Sequence, residues 1–149
     1  MANTRQGLGM MALTPSLVAQ NPLSSYNPNG LTPAISRTLG TLRGISFADR
    51  IGVTSGYRSP TGNRRAGGAK RSQHLQGNAV DLDISRLSPA ERRSLLDAAL
   101  AAGVKGVGIY PSGKSLHIDM RQNPTVWGPS PAGKYRGLQP NQFGLLPEW

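Results

Sequence analysis

Two short stretches of the chain alternate apolar and polar residues with a period of two. In Asn78–Ile84, Val80, Leu82 and Ile84 share one parity, while Asp81 and Asp83 share the other. In Ser115–Met120, Leu116, Ile118 and Met120 point one way and Ser115, His117 and Asp119 the other. Side chains alternate across a strand, so each stretch predicts a half-buried strand with one polar face. If both strands lie in one sheet, burial of their apolar sides aligns the polar sides, and Asp81 and His117 can meet.

Helical spacing governs two other segments. Residues 33–48 carry Ile35, Leu39, Leu42 and Ile45 at intervals of three and four. Thr32 is placed to cap and Pro33 suits the first turn, while Gly40 and Gly44 weaken the pattern. Residues 88–102 give the clearest helix. Ser88 caps, Pro89 takes the first position and Glu91 completes a capping box. Leu95, Ala98, Ala99 and Ala102 form the buried stripe, widened by Leu96 and Leu100, and Gly103 ends the helix. Residues 51–57 predict a short strand running into a turn.

The rest of the chain lacks periodicity. Residues 1–32, rich in Asn, Pro, Gly and Ser, predict an extended arm or linker. Residues 61–71 (TGNRRAGGAKR) predict a basic, glycine-rich loop, read first as solvated because no aromatic is interleaved to stack bases. Residues 33–127 form the expected core. Residues 128–149 form a tail expected to pack on it; the 121–149 stretch holds five prolines and both tryptophans, its aromatics read as lying over the domain surface, with a substrate groove as the alternative. The expected class is α+β, a small antiparallel sheet with flanking helices.

Length and composition then narrow the chemistry. The chain has 149 residues, enough for one domain, with 37% hydrophobic residues, 19 glycines and 12 prolines. It has no cysteine, which excludes disulfides and thiolate metal sites. Its formal charge of +10 favours contact with a polyanion: nucleic acid, cell-wall polymer or acidic lipid. No stretch is long and apolar enough to span a membrane. Residues 1–20 imitate a secretion signal only in outline, because Thr14, Pro15 and Ser16 interrupt the apolar part.

The polar strand faces hold three acids and one of the two histidines of the chain, where an ordinary solvated face shows scattered Lys, Thr and Glu. The other histidine, His74, lies just upstream of the first strand, within reach of Asp81. Two imidazoles and one carboxylate make a recognised zinc set that leaves a fourth position open. Spacing alone leaves metal binding and chance at even odds.

Four ordered motifs add a resemblance. Ser72-Gln73-His74-Leu75-Gln76-Gly77-Asn78-Ala79-Val80-Asp81 fits Ser-x-His-x-x-Gly-x-Ala-x-Asp. Ser55-Gly56-Tyr57-Arg58-Ser59-Pro60 precedes it, and Gly106 to Pro111 (Gly-Val-Gly-x-Tyr-Pro) and Leu116-His117-Ile118-Asp119 follow. Over residues 33–127 the chain resembles the zinc D-Ala-D-Ala carboxypeptidases and L-alanyl-D-glutamate endopeptidases of bacteria and phages, whose core fold is shared with lysostaphin-type peptidases and the hedgehog signalling domain. The resemblance implies zinc held by His74, Asp81 and His117, with Ser72 and Gly77 shaping the ligand loop. It also implies that Arg58 binds the substrate carbonyl or the developing oxyanion. One position departs. Better-studied members carry an acid three residues before the last zinc histidine as general base; here it is Lys114. Asp119 is the candidate replacement and Asp83 the second; either acid has the alternative role of holding a zinc histidine by its other ring nitrogen.

The resemblance therefore implies hydrolysis of peptidoglycan stem peptides or crosslinks in the bacterial cell envelope, with a phage lysis or virion-borne enzyme as one setting and the N-terminal arm as a possible assembly contact. Two readings compete. A zinc-stabilised structural or binding module without turnover would explain Lys114. A nucleic-acid-binding protein would explain Arg64, Arg65, Lys70 and Arg71, but it leaves both polar strand faces without a purpose.

Overall fold

The computed structural model describes residues 18–110, 114–128 and 138–143. The expectations for residues 1–17, for Pro111 and for Tyr135 and Trp149 of the tail lie outside the described residues.

Five strands form one sheet in the order β1-β2-β4-β3-β5. They are β1 (Gly52–Ser55), β2 (Ala79–Asp83), β3 (Gly106–Tyr110), β4 (Ser115–Asp119) and β5 (Thr125–Trp127). The pairs β1–β2, β2–β4 and β3–β4 are antiparallel, as the alternating pattern predicts, but β5 runs parallel to β3. The sheet is therefore mixed. The fifth strand comes from the proline-rich stretch, where three residues between Pro124 and Gly128 are too few to show a period.

Helix α1 (Pro33–Leu42) is capped by Thr32 and α3 (Pro89–Ala101) by Ser88. In α3 the capping box is complete: the Ser88 hydroxyl accepts from the Glu91 amide at 3.2 Å, and the Glu91 carboxylate accepts from the Ser88 amide at 2.9 Å. Both helices bury one stripe. Ile35, Leu39 and Leu42 of α1 meet Leu95, Leu96 and Ala99 of α3 in a core shared with Val80, Leu82, Leu116 and Ile118 of the sheet. Because the helices cover that face, the opposite parity of β2 and β4 is left free for polar groups. A short helix α4 (Pro140–Phe143) lies in the tail.

Two stretches differ from the sequence reading. Helix α2 (Pro60–Arg65) starts the segment read as a loop; the Ser59 hydroxyl accepts from the Gly62 amide at 3.1 Å and Pro60 fills the first turn. Its six residues are too short for an apolar stripe. Part of the stretch read as an arm lies on the core. Leu23 is fully buried, its amide donates to Ile51 O at 2.8 Å, and Pro22 bridges Gly52 at the open edge of β1. Backbone bonding and one apolar anchor hold this segment, and neither leaves a periodic signal.

Candidate metal centre

The register of β2 on β4 sets Asp81 directly opposite His117. Their parities agree, so both side chains stand on the face away from the helices. His117 Nδ1 lies 2.9 Å from Asp81 Oδ1.

His74 reaches the pair from a 3-10 turn, Gln73–Gln76. The Ser72 hydroxyl accepts from the His74 amide at 3.3 Å and starts the turn. Gly77 ends it in the left-handed region at φ 67°, with its amide bonded to His74 O. A Cβ at Gly77 would stand 2.1 Å from Gly30 O, so glycine is required by conformation and by space. The turn brings His74 Nε2 to 3.2 Å from both His117 Nδ1 and Asp81 Oδ2.

Each imidazole is fixed by its other nitrogen. His74 Nδ1 donates to Gly56 O at 2.7 Å, since a carbonyl only accepts, and this turns Nε2 toward Asp81 and His117. His117 Nε2 donates to Asp119 Oδ2 at 2.8 Å. Asp119 is fully buried, and Arg121 grips it through its amide at 3.0 Å and its guanidinium at 2.6 Å. Both histidines thus show the outer-nitrogen bonding typical of metal-binding histidines.

The donor set fits a small divalent ion. A tetrahedral ion with bonds of about 2.0–2.1 Å needs donors about 3.3 Å apart. His74 Nε2 stands 3.2 Å from His117 Nδ1, and each of these nitrogens has one Asp81 oxygen at 2.9 to 3.2 Å. Imidazole and carboxylate donors without thiolate or backbone oxygen suit zinc better than magnesium or calcium.

Charge follows the geometry. Burial pushes the Asp81 carboxyl up, but hydrogen bonds and charge from His117 and His74 outweigh it and hold it well below the usual carboxylate range. Burial alone would lower His117, yet its bonds to Asp119 and Asp81 raise it. Asp119 is likewise held low, burial being outweighed by Arg121 and His117.

The three donors open into a cleft of about 540 Å³. Arg58 borders it and, through Nη2, bonds Asp81 Oδ2 at 2.6 Å, while its Nε donates to the Ser55 hydroxyl at 2.8 Å. The turn-borne arginine of the sequence reading therefore does reach the cleft. The candidate bases do not. Asp119 lies behind the His117 ring, away from the cleft, and Asp83 turns to the Ser85 amide and Arg86. Lys114 is exposed and does not border the cleft. Among the described residues lining it, Asp81 is the one carboxylate.

Sequence reasoning left the tail aromatics between the domain surface and a substrate groove; the structure sets Trp127 on the cleft wall. One row across the sheet runs Asp81, His117, Gly108, Trp127. A Cβ on Gly108 would lie 2.3 Å from the Trp127 ring, so glycine there lets the indole lean over β3 to within 5.0 Å of the His117 ring. The next row runs Ala79, Asp119, Gly106, Thr125, and Gly106 leaves room for the Asp119 carboxylate. The available signal was the Gly-Val-Gly spacing itself: two glycines of one parity, opposite two strands whose same parity is polar.

Comparison with known proteins decides the family: residues 14–119 match the peptidase M15 family. The chain belongs to the peptidase M15 family. It is also 35% identical over 104 residues to the peptidoglycan L,D-endopeptidase MepK of Escherichia coli K12, and at the same identity to the MepK of Shigella flexneri. Each alignment covers 66% of this chain and 53% of the relative, so the chain spans about half the length of the curated relatives it matches. The M15 match includes His74, Asp81, His117 and Asp119 and stops before Trp127. No helix among the described residues is long and apolar enough to cross a membrane.

Proposed function

We propose that this M15 chain is a zinc-dependent peptidase acting on the peptide moiety of peptidoglycan in the bacterial cell envelope. The observation that carries the reading is the convergence of three donor atoms, His74 Nε2, His117 Nδ1 and an Asp81 oxygen, each with its remaining polar atoms already engaged. The similarity to a peptidoglycan L,D-endopeptidase favours cleavage within the stem peptides or their crosslinks. The +10 charge suits an anionic wall.

Zinc in this set would supply a Lewis acid for the scissile carbonyl and a water acidified to a pKa of about 7. The chain's own residues do the rest. Asp119 positions the His117 ring and fixes which nitrogen faces the cleft; its enclosure supports this holding role over that of general base. The Gly56 carbonyl does the same for His74. Arg58 offers a fixed cation where negative charge grows on the carbonyl oxygen, and it orients Asp81. The Trp127 and Tyr110 side chains wall the cleft, with the indole N–H donating to the Tyr110 hydroxyl at 3.3 Å.

A second reading, a zinc-stabilised module without turnover, draws on one observation: no carboxylate other than Asp81 borders the cleft among the described residues. Digestion of purified crosslinked muropeptides by the zinc-loaded chain separates the two. The peptidase reading expects new peptide products by mass spectrometry, abolished by His117→Ala and by chelation. A chain that binds zinc and melts higher with it, yet leaves every muropeptide intact, is the module.

A further inference from the structure

The cleft carries more positive charge than its metal ligands need. Its described lining includes three arginines, Arg58, Arg71 and Arg121, against the single carboxylate of Asp81. Two of the three are spoken for. Arg58 is paired with Asp81, and Arg121 with Asp119 beneath it while its guanidinium lies 4.8 Å above the Trp127 ring. Arg71 has no hydrogen bond or ion pair among the described residues and is exposed to the cleft.

Its position is nevertheless built. The segment 66–72 between α2 and the His74 turn is anchored by Asn63, a buried side chain whose amide donates to Ala69 O at 2.9 Å. The Gly68 amide returns to Asn63 O at 2.9 Å, and Gly68 packs so closely on the Asn63 side chain that a Cβ would stand 2.0 Å from its oxygen. The Ser72 amide closes a turn onto Ala69 O at 3.1 Å, and the Ser72 hydroxyl starts the turn that carries His74. Arg71 therefore stands on a pinned segment three residues before a candidate metal donor and lines the same cleft as Tyr110 and Trp127.

We propose that Arg71 forms a carboxylate subsite that selects stem peptides whose D-glutamyl α-carboxylate is free. This deepens the peptidase reading and rests on it for the substrate class. A planar guanidinium matches a carboxylate through two parallel N–H···O bonds. An unpaired arginine gives a larger share of that interaction to a ligand than one already neutralised by a neighbour. A divalent ion held by His74, Asp81 and His117 in the same cleft would add to the preference for an anionic substrate. The aromatic wall gives the uncharged part of the peptide a surface to lie on.

The test uses two crosslinked stem-peptide dimers that differ at one group: the α-carboxyl of the D-glutamyl residue is free in one and a carboxamide in the other. With the zinc-loaded full chain, kcat/KM should favour the free carboxylate by about tenfold, the lower range for a charge-assisted hydrogen bond at an exposed site. Arg71→Gln should erase the preference through KM, with kcat and zinc content unchanged. Arg71→Lys should keep part of it. Arg64→Gln removes an equal charge from an arginine that does not border the cleft, and should leave the preference intact. If wild type cuts both dimers equally, or Arg71→Gln keeps the preference, the subsite is overturned while the peptidase reading stands. If the chain cuts neither, calorimetric titration with the same dimers reads the subsite alone. An Arg71-dependent preference in Kd then upholds it without catalysis, and equal Kd values overturn it.

Discussion

The candidate metal centre is assembled from two halves held by different physics. The sheet half is Asp81 and His117, paired in register on β2 and β4 and backed by a buried carboxylate and an arginine. The loop half is His74, carried on a four-residue turn, capped by one hydroxyl, closed by one glycine and backed by a backbone carbonyl. Side-chain charge orients one histidine and chain geometry orients the other. Mutations can therefore strip the support from His117 without touching its fold, whereas His74 is disturbed only through the path of the backbone.

The sharpest way to break this contrast is to remove the ligands themselves. His74→Ala and His117→Ala should each abolish zinc retention on dialysis and muropeptide cleavage, a loss beyond the roughly 10–100-fold of an outer partner. Retained zinc in either variant would mean that its half is dispensable. Next comes Gly77→Ala, which forces a side chain into the left-handed region and against Gly30 O. It should destabilise the metal-free chain by roughly 2–4 kcal/mol, seen as a lower urea midpoint, because the loop half depends on geometry. Asp119→Ala should lower zinc affinity by about 10–100-fold in a chelator competition. An unchanged affinity would show that His117 needs no electrostatic backing.

Acidity supplies a smaller effect. The carboxylates of Asp119 and Asp81 raise His117, and the proton they stabilise must leave before Nδ1 can bind an ion. Below that raised pKa, zinc affinity should fall by about tenfold per pH unit for this one proton, or about 1.4 kcal/mol; above it the dependence on His117 should vanish. Asp119→Asn should move the break to lower pH. Ser72→Ala is the mildest change, costing about 1 kcal/mol by thermal melting from the lost cap on the His74 turn.

The same contrast explains what the sequence discloses. The sheet half is legible because Val80-Asp81-Leu82-Asp83 and Leu116-His117-Ile118-Asp119 alternate cleanly, and the capped helical patterns at 33–48 and 88–102, which the structure ends at Leu42 and Ala101, supply the cover for one side of the sheet. The loop half has no period; His74 is legible from its place just upstream of the first strand and from its motif. Asp119 shares a parity with His117, which places it on the right face of the sheet. Parity says nothing of whether a carboxylate opens to solvent or lies under a neighbour's ring, and Gly106 decides that by making room behind His117. The strand β3 escaped because Gly106 and Gly108 leave its polar face without side chains. Trp127 could not be placed because its strand is three residues long and joins the sheet in parallel.

The most direct measurement is a crystal structure of the zinc-soaked chain with anomalous data collected across the zinc edge. The expected result is one peak at about 2.0–2.2 Å from His74 Nε2, His117 Nδ1 and an Asp81 oxygen, with Asp119 still on His117 Nε2. A peak on His117 Nε2, or zinc bound away from these three residues, would contradict it.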